Sequence, residues 1–155
     1  MITFLLIIHS LCAVTLIGAV THQALSLWWP VKAGAQRNFV ANARGVRSAV
    51  YSNAIIVLYL VTASLGAIIY PTYRIGIRPL LEQIHLNTPL GLFELKEHFV
   101  AIGAALLPAY WYYWRQPLAA EHAATRRILT LFLTLTVWWA FLVGHILNNI
   151  RGFGI

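Results

Sequence analysis

The run that decides the fold is Phe93–Trp114, FELKEHFVAIGAALLPAYWYYW. It opens with Glu94, Lys96, Glu97 and one histidine, His98. It continues apolar and small from Val100 to Leu107, then closes in aromatics from Tyr110 to Trp114, followed by Arg115. A polar head, an apolar middle and an aromatic end are the layout of a helix that crosses a bilayer. The histidine stands where the head becomes the span.

Three other stretches, about 2–27, 49–70 and 128–147, are similarly apolar. With 92–114 they make a set of spans, each near the roughly 20 residues that a bilayer core requires. Composition agrees. Of 155 residues, 60% are hydrophobic and 10% charged, with a mean hydropathy of +0.73. Soluble domains carry about 25% charged residues, so this chain lacks the polar surface to cover itself in water. In lipid the backbone must satisfy its own hydrogen bonds, which favours helices; the alternating ten-residue strands of a barrel do not occur. The expected fold is all-α, an integral membrane four-helix bundle, with one domain over 1–155 and no internal repeat.

The formal net charge is +7. In a soluble protein that would suggest nucleic acid. Here the cations border the apolar runs: Lys32, Arg37, Arg44, Arg47, Arg115, Arg126 and Arg127 on one side, Arg74, Arg78, Lys96 and Arg151 on the other. The denser side is expected to be cytoplasmic, facing anionic lipid headgroups, with no nucleic acid as partner. Both termini then lie on the opposite, outer face. The first run has no charged n-region and is too long for a signal-peptide core, so it is expected to stay as a helix ending at Trp28–Trp29–Pro30. Cys12 is the single cysteine and forms no intrachain disulfide.

The connection from Pro71 to about Gly91 contains Pro71, Pro79, Pro89, Arg74, Arg78, Glu82 and His85. It is expected to be the long outer loop, with any helix confined to about 79–85 and with a surface for a partner. Pro108 is expected to kink the third helix. Ser52, Asn53, Thr62, Ser64 and Gly66 mark the second helix as a packing helix.

The histidines carry the chemistry. His98 sits at the outer mouth of the third helix, and His145 just inside the outer end of the fourth. His9 lies about 12 Å into the first at 1.5 Å per residue. Three histidines on three helices thus share the outer half, while His22 lies near the inner face and His85 and His122 lie in loops. Ala101, Ile102, Ala105 and Ala109 share the face of His98. Such a face serves close helix packing or leaves room for a flat cofactor.

Three readings of these histidines stand together. Paired imidazoles on facing helices ligate haem b, with His98, His145 and His9 as the candidates and Asn149 and Arg151 as a polar collar for propionates. His98, His145 and His9 with Glu94 or Glu97 would form a nitrogen- and oxygen-rich site for copper, zinc or iron. Or each histidine bonds a backbone or hydroxyl group between helices. CxxCH is absent, which excludes covalent c-type haem. Nucleophile motifs and phosphate loops are absent too, so a non-catalytic subunit or electron carrier is expected rather than a stand-alone enzyme.

His9, His98 and His145 at matched depth on apolar helices resemble the pattern of small bacterial membrane b-type cytochromes. That resemblance implies an electron-transfer subunit of a larger membrane complex, with quinone or a periplasmic electron carrier as partner. It also implies a bacterial inner-membrane location with both termini periplasmic. The pair His9 and His22 departs from the two-haem pattern, being about 140° apart in phase. The outward histidines also resemble those of small bacterial copper-resistance membrane proteins, which implies copper handling. The runs PTYRIGIRP, FELKEHFVAIGAALLPAYW and GHILNNIRG are similar to those of a proteobacterial membrane-protein family, a likeness that implies no activity. An accessory subunit that stabilises a membrane complex is the other expected role.

Overall fold

The computed structural model describes residues 1–28, 48–115 and 118–152, with backbone alone at 48–49 and 148–152. The basic stretch from Lys32 to Arg47, Trp29, Pro30 and residues 153–155 lie outside the described residues, as do the side chains of Asn149 and Arg151. All described secondary structure is helical. Helix α1 is Ile2–Trp28 and α2 is Ser48–Thr72. A π-helical turn, Tyr73–Ile77, carries α2 into the short α3, Arg78–Gln83. Helix α4 is Asn87–Trp114; a 3-10 turn, Ala120–His122, leads into α5, Ala123–Gly152.

The four long helices form a ring. Helix α1 packs on α2 and α5, and α4 packs on the same two, so α1 and α4 face each other diagonally. Side-chain contacts set the directions. The early His9 meets the late Thr62, and Tyr70 near the end of α2 stacks on Phe93 near the start of α4. The late Trp114 bonds the early Thr130 of α5. Neighbours along the chain are therefore antiparallel, and α5 closes on α1: an up-down-up-down bundle.

Ile2–Trp28, Val50–Gln83 and Ala120–Leu147 are long and apolar enough to cross a membrane. The stretch expected as a fourth span, 92–114, is fully helical but outside that set. Its first turns hold Glu94, Lys96 and Glu97. The structure occupies two of these charges locally: Glu94 pairs with Arg78 at 3.0 Å, and the Lys96 ammonium lies 4.0 Å from the Phe93 ring centre.

The expected long loop over 71–91 is mostly helix, and the break shrinks to Ile84–Leu86, where His85 takes a positive φ of 56°. The prolines explain the difference. Pro79 and Pro89 fall in the first turns of α3 and α4, where no backbone donor is required. Pro71 closes α2 just before the π-helical turn. Arg126, expected in a loop, is buried in the first turn of α5, and its guanidinium donates to the Ala119 carbonyl at 2.9 Å.

The packed core lies toward the end where α1 finishes and α2 begins. It joins Leu16, Ile17 and Val20 to Ile55 and Tyr59, Leu107, Tyr110 and Trp114, and Leu133 and Val137. Polarity is inverted relative to a water-soluble bundle. Gln23, Ser52 and Thr130 are among the most deeply buried side chains, each 1% exposed, while Phe4, Leu11, Val57, Ile68, Ile128 and Leu135 lie on the outside.

Candidate functional site

The three outer histidines occupy the same half of the bundle but point to different places. His9 lies in the α1–α2 seam. Its Nδ1–H donates to the Thr62 carbonyl at 3.1 Å, and its ring lies against Gly66, where an added Cβ would stand 3.4 Å from Cε1. His98 is exposed, and its Nδ1–H donates to the Glu94 carbonyl one turn back at 2.8 Å. His145 is exposed and stacks on Phe141, 6.2 Å between ring centres and 3° between planes. Its helical face is the one on which the Thr134 hydroxyl lies 3.3 Å from the Val20 carbonyl and Trp138 Nε1–H donates to Thr21 (2.9 Å). That face looks toward α1. His98 instead shares its face with Ala101, Ile102 and Ala105, all exposed, so the small-residue face points out of the bundle.

These placements bear on what the site holds. Carbonyl acceptors on Nδ1 set the tautomer of His9 and His98, leaving Nε2 with the lone pair that a metal or haem iron takes. Below His98 the interior is filled: Tyr59 reaches across from α2, donates its hydroxyl to the Val100 carbonyl at 2.7 Å and occupies the space over Gly103. A flat ring fits against α4 only on its outer side. Among the described residues, no three His, Cys, Asp or Glu side chains are placed to hold one metal ion. Glu94, a candidate ligand, is turned to Arg78. The collar residues Asn149 and Arg151 lie beyond the described side chains. His85 sits exposed in its turn, and His122 packs edge-on to Tyr113 with its Nε2 3.5 Å from Glu121.

The opposite half holds a polar layer that histidine depth did not reveal. Tyr110 of α4 donates its hydroxyl across the diagonal to Gln23 Oε1 of α1. Both side chains are 1% exposed. Next to them, His22 Nδ1 and the Tyr51 hydroxyl share a hydrogen bond at 3.1 Å, with rings edge-on. Trp114 Nε1–H donates to Thr130 at 3.1 Å, and Thr134 donates back to the Thr130 carbonyl. Helices α1, α4 and α5 therefore share buried hydrogen bonds at this level, and α2 adds the half-buried Tyr51–His22 pair beside them. Among the described residues, two buried side-chain donors have no acceptor: Gln23 Nε2 and Trp139 Nε1.

The aromatic end of α4 is accordingly divided. Tyr110 and Trp114, one turn apart, enter the core, while Trp111 and Tyr112 face outward. Reading Tyr110–Trp114 as one interfacial anchor missed this. The available signal was Gln23, an amide inside an apolar run, which requires a polar partner at its own depth.

Comparison with family models, with curated proteins and with solved structures found no match to this chain.

Proposed function

We propose that this protein is an integral-membrane four-helix subunit of the bacterial inner membrane, with both termini on the periplasmic side, that works within a larger membrane complex and performs no catalysis of its own. Membrane embedding is supported by the inverted polarity: amide and hydroxyl groups inside, Phe, Leu, Ile and Val outside. The observation that carries the subunit role is the outer face of α4. His98 stands exposed there above Ala101 and Ala105. Small residues let a second helix approach closely, and with Nδ1–H on the Glu94 carbonyl the exposed imidazole offers Nε2 to that helix. A helix of a partner subunit covers this face in the assembly. The test is affinity purification of the tagged chain in mild detergent. A stoichiometric membrane partner, lost in Ala105→Trp while the helical content stays unchanged, supports the reading. A wild-type chain that runs alone from native membranes refutes it.

A second reading, a haem b electron-transfer subunit, is favoured by one specific feature: the Nδ1–H bonds of His98 and His9 to backbone carbonyls leave Nε2 ready to ligate. Haem would supply one-electron chemistry. The residues of this chain would present the His98 imidazole and an alanine face from the outside of α4, and a second ligand would come from the partner, because the face of His145 looks toward α1. A reduced-minus-oxidised spectrum of the purified complex separates the two readings. An α-band that disappears in His98→Ala supports haem; a colourless complex leaves the accessory role. Copper handling at His9, His98 and His145 is checked by elemental analysis of the same preparation.

A further inference from the structure

The strongest unassigned feature is a groove of about 290 Å³ between α2 and α4, lined by Ile56, Leu60, Ala104, Leu107, Pro108 and Trp111. Its walls are apolar side chains. Alanine and proline on the α4 side leave space where larger residues would close the seam. From Ala104 to Trp111 the groove runs about 10 Å along the helix, a large part of the roughly 15 Å of hydrocarbon in one leaflet. One helical turn beyond Trp111 stands Arg115, exposed, at the end of α4. Its guanidinium lies 4.1 Å from the Tyr112 ring centre and 5.9 Å from that of Trp111. A cation at a helix C-terminus ordinarily serves the helix dipole. Here the side chain is drawn over the aromatic rings at the groove mouth, and among the described residues no carboxylate pairs with it.

We propose that this groove and Arg115 form a binding site for one anionic phospholipid, with an acyl chain against Ala104, Leu107 and Pro108 and the phosphate on the guanidinium. The inference rests on the membrane reading above. Charge complementarity selects the occupant. This end of the bundle carries Arg115, Arg126 and Arg127 against Glu121. Arg126 is buried and bonded to Ala119, whereas Arg115 lies over Trp111, which lines the groove. A guanidinium holds a phosphate in a bidentate geometry that an ammonium does not. The exposed indole of Trp111, between acyl groove and guanidinium, sits where amphipathic rings favour the headgroup level.

The experiment uses the full chain, delipidated in detergent, mixed with equal phosphatidylglycerol and phosphatidylcholine and read by native mass spectrometry. One phosphatidylglycerol retained in preference to phosphatidylcholine is the expected result. Arg115→Gln lowers that preference about fivefold, the share of one basic residue at an anionic surface. Ala104→Leu, which fills the groove, removes retention of both lipids while circular dichroism and the melting curve stay at the wild-type values. The site is overturned if Arg115→Gln keeps the wild-type preference, or if Ala104→Leu retains lipid as before, since either result describes lipid spread over the surface. Native membranes that yield the chain with a quinone or a partner helix in place of phospholipid also overturn it. An alkaline carbonate wash that releases the chain from membranes refutes the membrane reading itself, independently of the lipid result.

Discussion

Replacing Tyr110 by Phe removes a single oxygen from the bundle, yet its cost is expected to exceed that of the larger change Gln23→Leu. In the wild type the Tyr110 hydroxyl donates to Gln23 Oε1, and Gln23 Nε2 has no acceptor among the described residues. Tyr110→Phe removes a bond worth about 1 kcal/mol net and leaves the amide oxygen buried without a donor, at about 1–3 kcal/mol. The loss should total about 2 kcal/mol. Gln23→Leu leaves the tyrosine hydroxyl without its acceptor, at a similar cost. It also removes two amide N–H donors that were already buried unmet, and the two effects nearly offset. Its stability should lie within about 1 kcal/mol of wild type. The double variant has no polar atom left at the contact and should match or exceed wild type. The resulting coupling, about 2 kcal/mol, lies slightly above the strongest hydrogen bonds measured between membrane helices. Equilibrium unfolding in mixed micelles of mild detergent and dodecyl sulfate, followed by far-ultraviolet circular dichroism, measures all four proteins. Equal costs for the two single variants, with an additive double, would falsify the reasoning, because the pair would then not be coupled.

Gly103 provides a second test. A Cβ there would meet the Tyr59 hydroxyl, Tyr59 Cζ at 3.0 Å and Thr136 Cγ2 at 3.2 Å. Gly103→Ala is expected to lose about 1–2 kcal/mol after the helix-propensity gain of about 1, and adding Tyr59→Phe should recover part of it in the same assay, because the closest clash is with the hydroxyl. Arg78 lies at the surface between Glu82 (2.7 Å) and Glu94 (3.0 Å); exposed pairs contribute little, so Arg78→Ala should leave the melting temperature unchanged, and a fall of several degrees would mean that this pair pins α3 to α4.

Long apolar runs made all four long helices readable, and the expected ends fall short of the observed ones for a physical reason. The apolar length marks what lipid covers, whereas α4 and α5 continue to Asn87 and Ala123 through amphipathic turns that no hydropathy window marks. Histidine depth was readable by counting residues. Histidine direction was not. In a soluble helix the polar face identifies the outside. A helix in lipid is apolar on both faces, so nothing local told whether Ala101 and Ala105 face the core or the exterior. Only packing against α2 and α5, through Gly103 and Phe99, fixes that rotation. The same ambiguity concealed the inward turn of Tyr110 and Trp114.

The division of the bundle into two halves has a consequence for how it works. At the α1 C-terminal end, Gln23, Tyr110, Trp114 and Thr130 tie α1, α4 and α5 together with buried hydrogen bonds. Such bonds constrain rotation and register, because slipping any one helix strands a polar group in an apolar core. At the other end the bonds of His9 and His98 go to backbone carbonyls, which tolerate rotation of the ring, and His98 and His145 stay exposed. The end that is locked therefore orients the end that is open. A subunit that must present imidazoles to a partner at a fixed angle would benefit from this arrangement: the rigid layer holds the helix rotation, and the histidines about three to four turns away inherit it. Loosening the Gln23–Tyr110 layer should on this argument disturb partner or cofactor retention at His98 without any change in the residues that touch it.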